Sequence, residues 1–435
     1  MRGNATASTH PSRPGRPGHP IAAVRAARPL RRLAVGTATA AALLAAAACS
    51  SSSTTAAGPS GPSGSSGAST TVAPSGSTPG STAARAGGRV VPGASWDTVD
   101  PTAAGFDPAK LDAMAAQAEA AGSNCLLVTK DGKLVKEWYW NGKGPDSTQE
   151  VFSATKSYTS ALVGIAQAEG KLQIDEPASK YITEWKGTPS ESVTIKDLLS
   201  NDSGRHYDFA TDYSDMAVKA PDKTAFAIGL DQQYPPGTHW DYNNSAIQTL
   251  SRVLKVATGM EAAEYAQQKL LGPIGMTDSK MKKDSSGGTL TFMGLDSTCR
   301  DMARFGNLFL DQGSWGDTQV IPQAWVKEST TPSQQLNPGY GYLWWLNTKS
   351  DPAGAAQATG GSAEAGSGPR QLAPGVPEDA FFALGLGDQH IAVFPDSGVV
   401  AVRLGPVNVP GATAKFGPAD IAKLTQAAIA GSPQG

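Results

Sequence analysis

The chain has 435 residues, enough for one large domain or a few small ones, with 36 basic and 38 acidic residues and a formal charge of −2. Seven of the arginines lie within residues 1–48, which hold no acidic residue, so the rest of the chain is clearly acidic and a poor candidate for binding nucleic acid or anionic lipid. Three histidines follow residue 48, with no HExxH motif and no closely spaced cysteine pair, so we expect neither a metal site nor a cofactor.

Residues 1–48 have the pattern of a signal peptide. Arg31 and Arg32 precede the apolar run LAVGTATAAALLAAAA, and a basic segment followed by a short hydrophobic one is typical of such signals. The run is shorter than the roughly 20 residues that a membrane-spanning helix needs. The paired arginines suit the twin-arginine export route, and an ordinary secretory signal with a chance arginine pair is the alternative.

Cys49 and the segment after it indicate a lipid anchor with a tether. The small residues before Cys49 and the serines after it resemble a bacterial lipobox, although Ala46 stands where a leucine is usual. Residues 49–92 are mostly Ser, Gly, Pro, Thr and Ala, a composition that cannot bury enough apolar surface to fold. We therefore predict a lipoprotein on the outer face of the cell membrane. A stray cysteine near a cleavage site, and a secreted protein, are the alternatives.

Residues 93–435 are predicted to form the folded domain. The expected elements are a helix after Asp107-Pro108, a hairpin around Asp131-Gly132, a helix from Ser153 to Gly170, a short helix capped by Thr194, helices at 246–259 and 297–313, strands at 340–347, 380–385, 390–395 and 399–405, and a last helix at 418–430. Strands at both ends of the chain, with helices between them, favour an α+β fold. We expect one antiparallel sheet flanked by helices, beside a mostly helical lobe, with the site in the cleft between them.

Two cysteines, Cys125 and Cys299, lie within the predicted domain. In an oxidising compartment they could form a disulfide. Two buried free thiols that behave as small apolar side chains are the alternative, and the sequence alone leaves this question open.

The segment VFSATKSYTSALVGIA carries the first chemical signal. Ser153 and Lys156 are three residues apart, so on a helix their side chains share one face. At the start of a helix, free N–H groups and the positive end of the dipole favour negative charge on Ser153. A serine hydroxyl needs an adjacent base to become a nucleophile, and a lysine with a lowered pKa can serve.

The segment PPGTHWDYNNSAIQTL carries the second signal. A tyrosine such as Tyr242, close to an ammonium group, can relay a proton between a serine and a leaving group. Asn244 offers a donor and an acceptor to substrate or to the lysine. The alternative is a tyrosine in a turn followed by an asparagine that caps a helix.

The order of these motifs resembles a known superfamily. SxxK, then YxN about 90 residues later, then a glycine motif on a strand near the C-terminus is the order found in serine β-lactamases and penicillin-binding proteins. The flanking segments GKLQIDEPASKYITEW, VTIKDLLSNDSG and STCRDMARFGNLFLDQGSW look like the class C-type branch, especially family VIII esterases and 6-aminohexanoate-dimer hydrolases. The resemblance covers about residues 96–430 and implies a β-lactamase-like fold.

The resemblance also implies roles for individual residues. Ser153 would be the acylated nucleophile, Lys156 its base and Tyr242 the catalytic tyrosine, while Asn244 would contact substrate. The third motif falls on FFALGLGDQHIAVFP, where Ala383 replaces the cation that helps β-lactamases hold the substrate carboxylate. The remaining predicted contacts are Gly385, the Leu386 N–H, which would complete an oxyanion hole with that of Ser153, and Gln389. Asp388 stands where glycine is more usual, and Gln389 could equally be an ordinary strand residue.

The predicted function is an extracytoplasmic serine hydrolase that acts on esters or small amides through an acyl-enzyme. The expected partners are a small-molecule ester or amide and the membrane, through the lipid anchor at Cys49, with no nucleic acid. Two alternatives remain open at this point. One is a D-alanyl-D-alanine carboxypeptidase or β-lactamase on the same fold, and the other is a catalytically silent module that binds cell wall or peptide.

Overall fold

The computed structural model describes residues 89–351, 353–360, 368–406 and 416–430, which all belong to one compact unit. The predicted signal peptide, Cys49 and the tether as far as residue 88 lie outside the described residues. Within the described part of the chain, every helix is too short or too polar to cross a membrane.

The helices occupy the middle of the described chain and its two ends. The α-helices are α1 (Pro108–Ala120), α2 (Thr155–Ala168), α3 (Ile195–Ser200), α4 (Lys223–Ile228), α5 (Asn244–Gln248), α6 (Leu250–Thr258), α7 (Ala262–Ala266), α8 (Cys299–Leu310), α9 (Gln323–Ser329), α10 (Ala353–Thr359) and α11 (Pro418–Ala428). Two segments are π-helical, Ala210–Lys219 and Gln267–Leu271. Short 3-10 turns occupy Phe152–Ala154, Ala178–Lys180 and Thr183–Trp185.

The strands form one large sheet and two small ones. They are β1 (Cys125–Lys130), β2 (Lys133–Tyr139), β3 (Gln149–Glu150), β4 (Lys280–Met281), β5 (Leu295–Ser297), β6 (Ser314–Trp315), β7 (Thr318–Gln319), β8 (Trp345–Leu346), β9 (Phe381–Gly385), β10 (Gln389–Phe394) and β11 (Val399–Leu404). The large sheet has the order β2-β1-β11-β10-β9-β8, with every neighbouring pair antiparallel. Strands from both ends of the chain therefore share one sheet, which confirms the predicted arrangement.

The first hairpin and the pairing of β1 with β11 join the two ends of the chain. Asp131 and Gly132 both have positive φ angles, 49° and 81°, as a two-residue hairpin turn requires. Strand β1 pairs with β2 on one side and with β11 on the other, from Cys125 opposite Leu404 to Lys130 opposite Val399. Helix α8 packs against one face of the sheet, and helices α1 and α11 pack on each other beside β10 and β11. The strands β9, β10 and β11 are therefore buried along their whole length.

Local signals explain several helix boundaries. Asp107 caps α1 by accepting hydrogen bonds from the N–H groups of Ala109 and Lys110. Thr194 and Asp197 form a reciprocal capping box at the start of α3. The predicted helix at 246–259 is instead divided, at Thr249, into α5 and α6.

The predicted strand at 340–347 is wrong over most of its length. Only Trp345 and Leu346 pair with β9, because Leu343 adopts a φ of 60° that breaks the extended backbone. All four aromatic side chains of this segment, Tyr340, Tyr342, Trp344 and Trp345, are buried and contribute to the core.

Two further findings concern the start of the domain and its cysteines. Cys125 and Cys299 form a disulfide with their Cα atoms 6.5 Å apart, which joins β1 to the first residue of α8. The predicted tether extends too far, because its last residues already pack on the domain. The Arg89 guanidinium donates to the Leu310 carbonyl at 3.1 Å, and the Pro92 carbonyl accepts from Arg304 at 3.0 Å. The ordered domain therefore includes residues 89–92.

Candidate active site

Ser153 lies in the 3-10 turn Phe152–Ala154, directly before helix α2, with its side chain half-buried. The residue before it, Phe152, has a φ of 47°, a left-handed conformation that costs a bulky residue about 1–2 kcal/mol. Such strain concentrates at functional sites, where the surrounding structure holds it in place. Here it accompanies the turn that presents the Ser153 hydroxyl to a small pocket.

Lys156 is the buried partner of Ser153, one turn further along the same face. Its side chain is 1 % exposed, and Nζ donates to Ser153 Oγ at 2.8 Å, to Asn244 Oδ1 at 2.7 Å and to the Phe292 carbonyl at 2.8 Å. Burial lowers the pKa of Lys156 to about 7, while the nearby charge of Asp212 acts in the opposite direction. With this pKa the amine is substantially neutral at neutral pH. The neutral form keeps two N–H donors for Asn244 and the Phe292 carbonyl, and its lone pair can accept the Ser153 proton.

Tyr242 lies beside this pair. Lys156 Nζ is 4.8 Å from the centroid of the Tyr242 ring, and the tyrosine side chain is buried. The Tyr242 hydroxyl makes no hydrogen bond within ordinary geometric limits among the described residues. It nevertheless lies close enough to the Ser153 hydroxyl for that group to affect the pKa of Tyr242. Burial raises the pKa of Tyr242 well above its usual value, and Ser153 partly opposes the rise. The structure thus brings the predicted hydroxyl, amine and phenol together.

The Asn244 side chain accepts a hydrogen bond from Lys156 and does not cap helix α5. The residue that caps α5 is its neighbour Asn243, whose side chain accepts from the Ala246 N–H at 2.8 Å. The Asn244 carbonyl oxygen accepts from Lys156, and its amide nitrogen donates to Asp212 Oδ2 at 2.7 Å. Asn244 also lines the pocket at Ser153, so one side chain connects the lysine, an aspartate and the pocket.

Asp212 is a buried residue of the site that the sequence did not reveal. It lies on the π-helix Ala210–Lys219 and accepts four hydrogen bonds, from the N–H and side chain of Asn244 and from the N–H and hydroxyl of Ser245, at 2.7 to 3.1 Å. Four donors directed at one carboxyl group suit the ionised form, which only accepts. Burial nevertheless raises the pKa of Asp212. In the sequence it is one of three similar acidic residues in a polar stretch, and nothing there marks it as buried.

The end of strand β9 lies directly against the turn that carries Ser153. A Cβ atom added to Gly385 would lie 2.1 Å from the Val151 carbonyl oxygen and 3.2 Å from the Ala154 nitrogen, so this close approach requires glycine. Leu386 follows and lines the Ser153 pocket, which has a volume of about 30 Å³. The predicted contacts Gly385 and Leu386 are therefore at the site.

Gln389 does not reach the pocket. Its fully buried amide donates to the carbonyls of Leu386 and Gly387, at 3.0 and 3.1 Å, and accepts from Gln149 and from the Gly405 N–H. The prediction that Gln389 contacts substrate is thus corrected: its hydrogen-bonding groups hold the loop after β9.

The neighbouring Asp388 has a φ of 60°, a conformation that glycine adopts more readily than any other residue. This accounts for the glycine that the resemblance led us to expect there. The carboxylate of Asp388 lies 3.7 Å from Arg403, so it belongs to the same supporting loop. Over the described residues, no cluster of histidine, cysteine, aspartate and glutamate has the arrangement of a metal site.

Comparisons with known proteins identify the family and the fold. The family model Beta-lactamase matches residues 111–425. A 6-aminohexanoate-dimer hydrolase of Paenarthrobacter ureafaciens is 24% identical over 264 residues, which cover 55% of this chain and 67% of that protein. Protein flp of Staphylococcus aureus (strain MRSA252) is 27% identical over 175 residues, 37% of this chain and only 35% of that protein.

Solved structures show the same fold. A provisionally named β-lactamase from Bacteroides dorei superposes with a TM-score of 0.60 at 19% identity, covering 74% of this chain and 99% of that one. A provisionally named 6-aminohexanoate-dimer hydrolase from Bacillus anthracis gives 0.55 at 22% identity, covering 68% and 76%. At these identities the likeness concerns the fold alone.

Proposed function

This chain belongs to the Beta-lactamase family and is a serine hydrolase of that superfamily, and on that premise we propose that it hydrolyses ester or small amide bonds through an acyl-enzyme formed on Ser153. The observation that carries the proposal is the 2.8 Å hydrogen bond between Lys156 Nζ and Ser153 Oγ, made by a buried amine with a pKa of about 7. A base with a pKa near the working pH combines the correct protonation state with a useful driving force for proton transfer.

The proposed reaction begins when Ser153 Oγ attacks the substrate carbonyl carbon and the neutral Lys156 amine takes the hydroxyl proton. Negative charge then develops on the carbonyl oxygen, and the N–H groups of Ser153 and Leu386 are the proposed donors to it. Tyr242, beside Lys156, relays the proton to the leaving group. A water molecule then attacks the acyl-enzyme, and the same groups return a proton to Ser153 as the acid is released.

Two observations favour an ester or a linear amide over a β-lactam. The first is Ala383, which supplies no cation to hold a substrate carboxylate and is buried within β9. The second is the similarity to a protein named 6-aminohexanoate-dimer hydrolase, whose name indicates an amide-linked dimer. Side-by-side rates on p-nitrophenyl esters, short linear amides and nitrocefin test this preference. Faster turnover of nitrocefin than of every ester and amide contradicts it.

The nucleophile is tested by fluorophosphonate labelling and peptide mass spectrometry of the folded protein. We expect one adduct, on Ser153, and its loss together with ester hydrolysis in Ser153→Ala. The matched control is Ser279→Ala, because Ser279 also precedes a lysine by three residues, but its hydroxyl donates to Asp301 at 2.8 Å and that lysine, Lys282, is paired with Glu150 and Asp296. A folded wild-type protein without an adduct supports the silent binding module instead.

We also propose that the protein is exported and anchored through a lipid on Cys49. The disulfide between Cys125 and Cys299 supports this location, because such bonds persist in oxidising compartments. In cells that express the full chain, we expect the wild-type protein in the membrane fraction and Cys49→Ala in the medium or another soluble extracytoplasmic fraction. Wild-type protein retained in the cytoplasm contradicts export, and an unchanged distribution of the variant contradicts the anchor.

A further inference from the structure

A cavity of about 380 Å³ borders the catalytic residues and shares Gln357 with the Ser153 pocket. The pocket at Ser153 itself, about 30 Å³, has room for only one or two water molecules. Ligand sites in proteins begin at roughly 300 Å³. A substrate with its carbonyl group at Ser153 therefore needs the larger cavity for its remaining atoms.

The larger cavity is lined on the catalytic side by Tyr242. Gln357, on α10, lines both this cavity and the Ser153 pocket. Its amide donates to the Tyr207 hydroxyl and, at 3.5 Å, to the Tyr242 carbonyl. Both cavities therefore meet at the Gln357 side chain.

The charge of the cavity lining is negative. Two carboxylates, Asp241 and Asp351, line it, and the described lining residues include no lysine or arginine. The ion-pair partner of Asp241 among the described residues is His239, at 3.5 Å, and the Asp241 side chain is only 25% exposed. Burial raises the pKa of Asp241, as it does for a carboxylate without a permanent cation beside it. The described lining therefore carries carboxylates that no lysine or arginine of the lining neutralises, and it favours a positively charged ligand.

Aromatic surface lies next to this carboxylate. Trp240, which precedes Asp241, is held in place by a 3.0 Å hydrogen bond from its indole N–H to the Ser200 carbonyl and by edge contacts with Tyr340 and Trp345. Helix α10 packs so closely on it that a Cβ atom on Gly354 would lie 2.6 Å from the Trp240 ring. Trp240 is thus an immobile aromatic side chain beside a carboxylate, and aromatic rings attract organic ammonium groups.

We infer that this cavity binds a protonated or quaternary amine on the leaving-group portion of the substrate. The inference rests on the proposed function, in which Tyr242 delivers a proton to the leaving group. A leaving group that takes a proton from Tyr242 lies against that residue, and Tyr242 lines the cavity. The substrate class is accordingly that of esters of amino alcohols and amides of diamines, with Asp241 and Trp240 as the groups that recognise the cation.

The test compares two esters that differ in charge and hardly in shape, acetylcholine and 3,3-dimethylbutyl acetate. For the wild type we expect kcat/KM to be about tenfold higher for the choline ester. Asp241→Asn should remove most of this preference. Asp175→Asn, which neutralises a carboxylate that is 82% exposed, should retain it. Equal kcat/KM for the two esters in the wild type overturns the inference, and so does hydrolysis of neither ester by a protein that turns over p-nitrophenyl esters. Failure to hydrolyse any ester or amide overturns the proposed function instead.

A binding measurement separates recognition from catalysis. Calorimetric titration of choline and of 3,3-dimethylbutanol into Ser153→Ala requires no turnover and no change at Asp241. We expect choline to bind about tenfold more tightly than the neutral alcohol. Equal affinity for the two, or binding of neither, overturns the inference even if Asp241→Asn fails to fold.

Discussion

Asp212 holds the amide nitrogen of Asn244 at 2.7 Å and thereby fixes which end of that side chain faces Lys156. An asparagine amide can rotate by 180° and exchange its donor for its acceptor. With its nitrogen bound to Asp212, Asn244 presents its oxygen to Lys156 Nζ, also at 2.7 Å. Asp212 thus orients Lys156 toward Ser153 through Asn244, although Asp212 itself does not line the Ser153 pocket. Asp212 is therefore a positioning residue.

We predict that Asp212→Asn lowers kcat/KM for ester hydrolysis by about tenfold or more, the cost of one hydrogen bond to a charged group. The same variant should move the acidic limb of the pH–rate profile to lower pH. The reason is that the charge of Asp212 raises the pKa of Lys156, and its removal lets burial lower that pKa further. A pH–rate profile from pH 5 to 9 measures both effects.

The matched control is Asp215→Asn on the same π-helix. Asp215 pairs with Lys219 at 2.8 Å on the surface, with its side chain 46% exposed, so we expect an unchanged rate and an unchanged limb. If Asp212→Asn loses activity while its limb stays in place, Asp212 supports the fold without acting on Lys156.

The wild-type pH dependence follows from the same lysine. Its amine must be neutral to accept the Ser153 proton, and its pKa of about 7 lies below the ordinary lysine value. The rate of acylation should therefore be low below pH 6, rise through about pH 7 and level off above pH 8. Stopped-flow release of p-nitrophenol in the first turnover measures this step. A midpoint near 10 would mean that the buried amine titrates as an exposed lysine does.

The sequence predicted those parts of the site that local chemistry determines. The three-residue spacing of Ser153 and Lys156 places their side chains one turn apart once the segment is helical, as it is from the 3-10 turn at Ser153 into α2. The hairpin at Asp131-Gly132 and the cap at Thr194 are equally local, because turn and capping preferences depend on neighbouring residues. The antiparallel sheet could be inferred because strand-like segments occur at both ends of the chain.

Other features depend on packing between distant segments and left no local signal. The burial of Asp212 results from a π-helix, which has no characteristic sequence pattern, packed on α5. Gln389 was predicted to contact substrate, because the sequence does not show whether its side chain faces the pocket or the loop after β9. The segment 340–347 has strong strand propensity, yet the left-handed Leu343 interrupts the extended backbone, so only Trp345 and Leu346 after it form a strand.

The close contact between β9 and the Ser153 turn leads to a prediction about Gly385. In Gly385→Ala the new methyl group would lie 2.1 Å from the Val151 carbonyl oxygen, so the two backbones must separate. Overpacking of this kind costs about 1–3 kcal/mol of stability. We expect a lower melting temperature and a larger loss of kcat than of substrate affinity, because the Leu386 N–H moves away from Ser153.

The control for Gly385→Ala is Gly144→Ala, since a Cβ atom there meets no atom within 4 Å. It should match the wild type in melting temperature and kcat. Wild-type kcat in Gly385→Ala would show that the exact separation of β9 and the Ser153 turn is unimportant for the reaction.

The Cys125–Cys299 disulfide should stabilise the domain chiefly by restricting the unfolded chain. The two cysteines are 174 residues apart, and closing so long a loop is worth about 5 kcal/mol in the chain-entropy description. The double variant Cys125→Ser and Cys299→Ser should therefore unfold at a markedly lower urea concentration than the oxidised wild type. Wild-type protein refolded with a reductant should approach the variant, because it has lost the same restriction.

Since the bond lies between β1 and the start of α8, remote in sequence from Ser153 and Lys156, kcat measured well below the unfolding transition should change little. A variant with full stability but no activity would instead assign the disulfide a role in shaping the site.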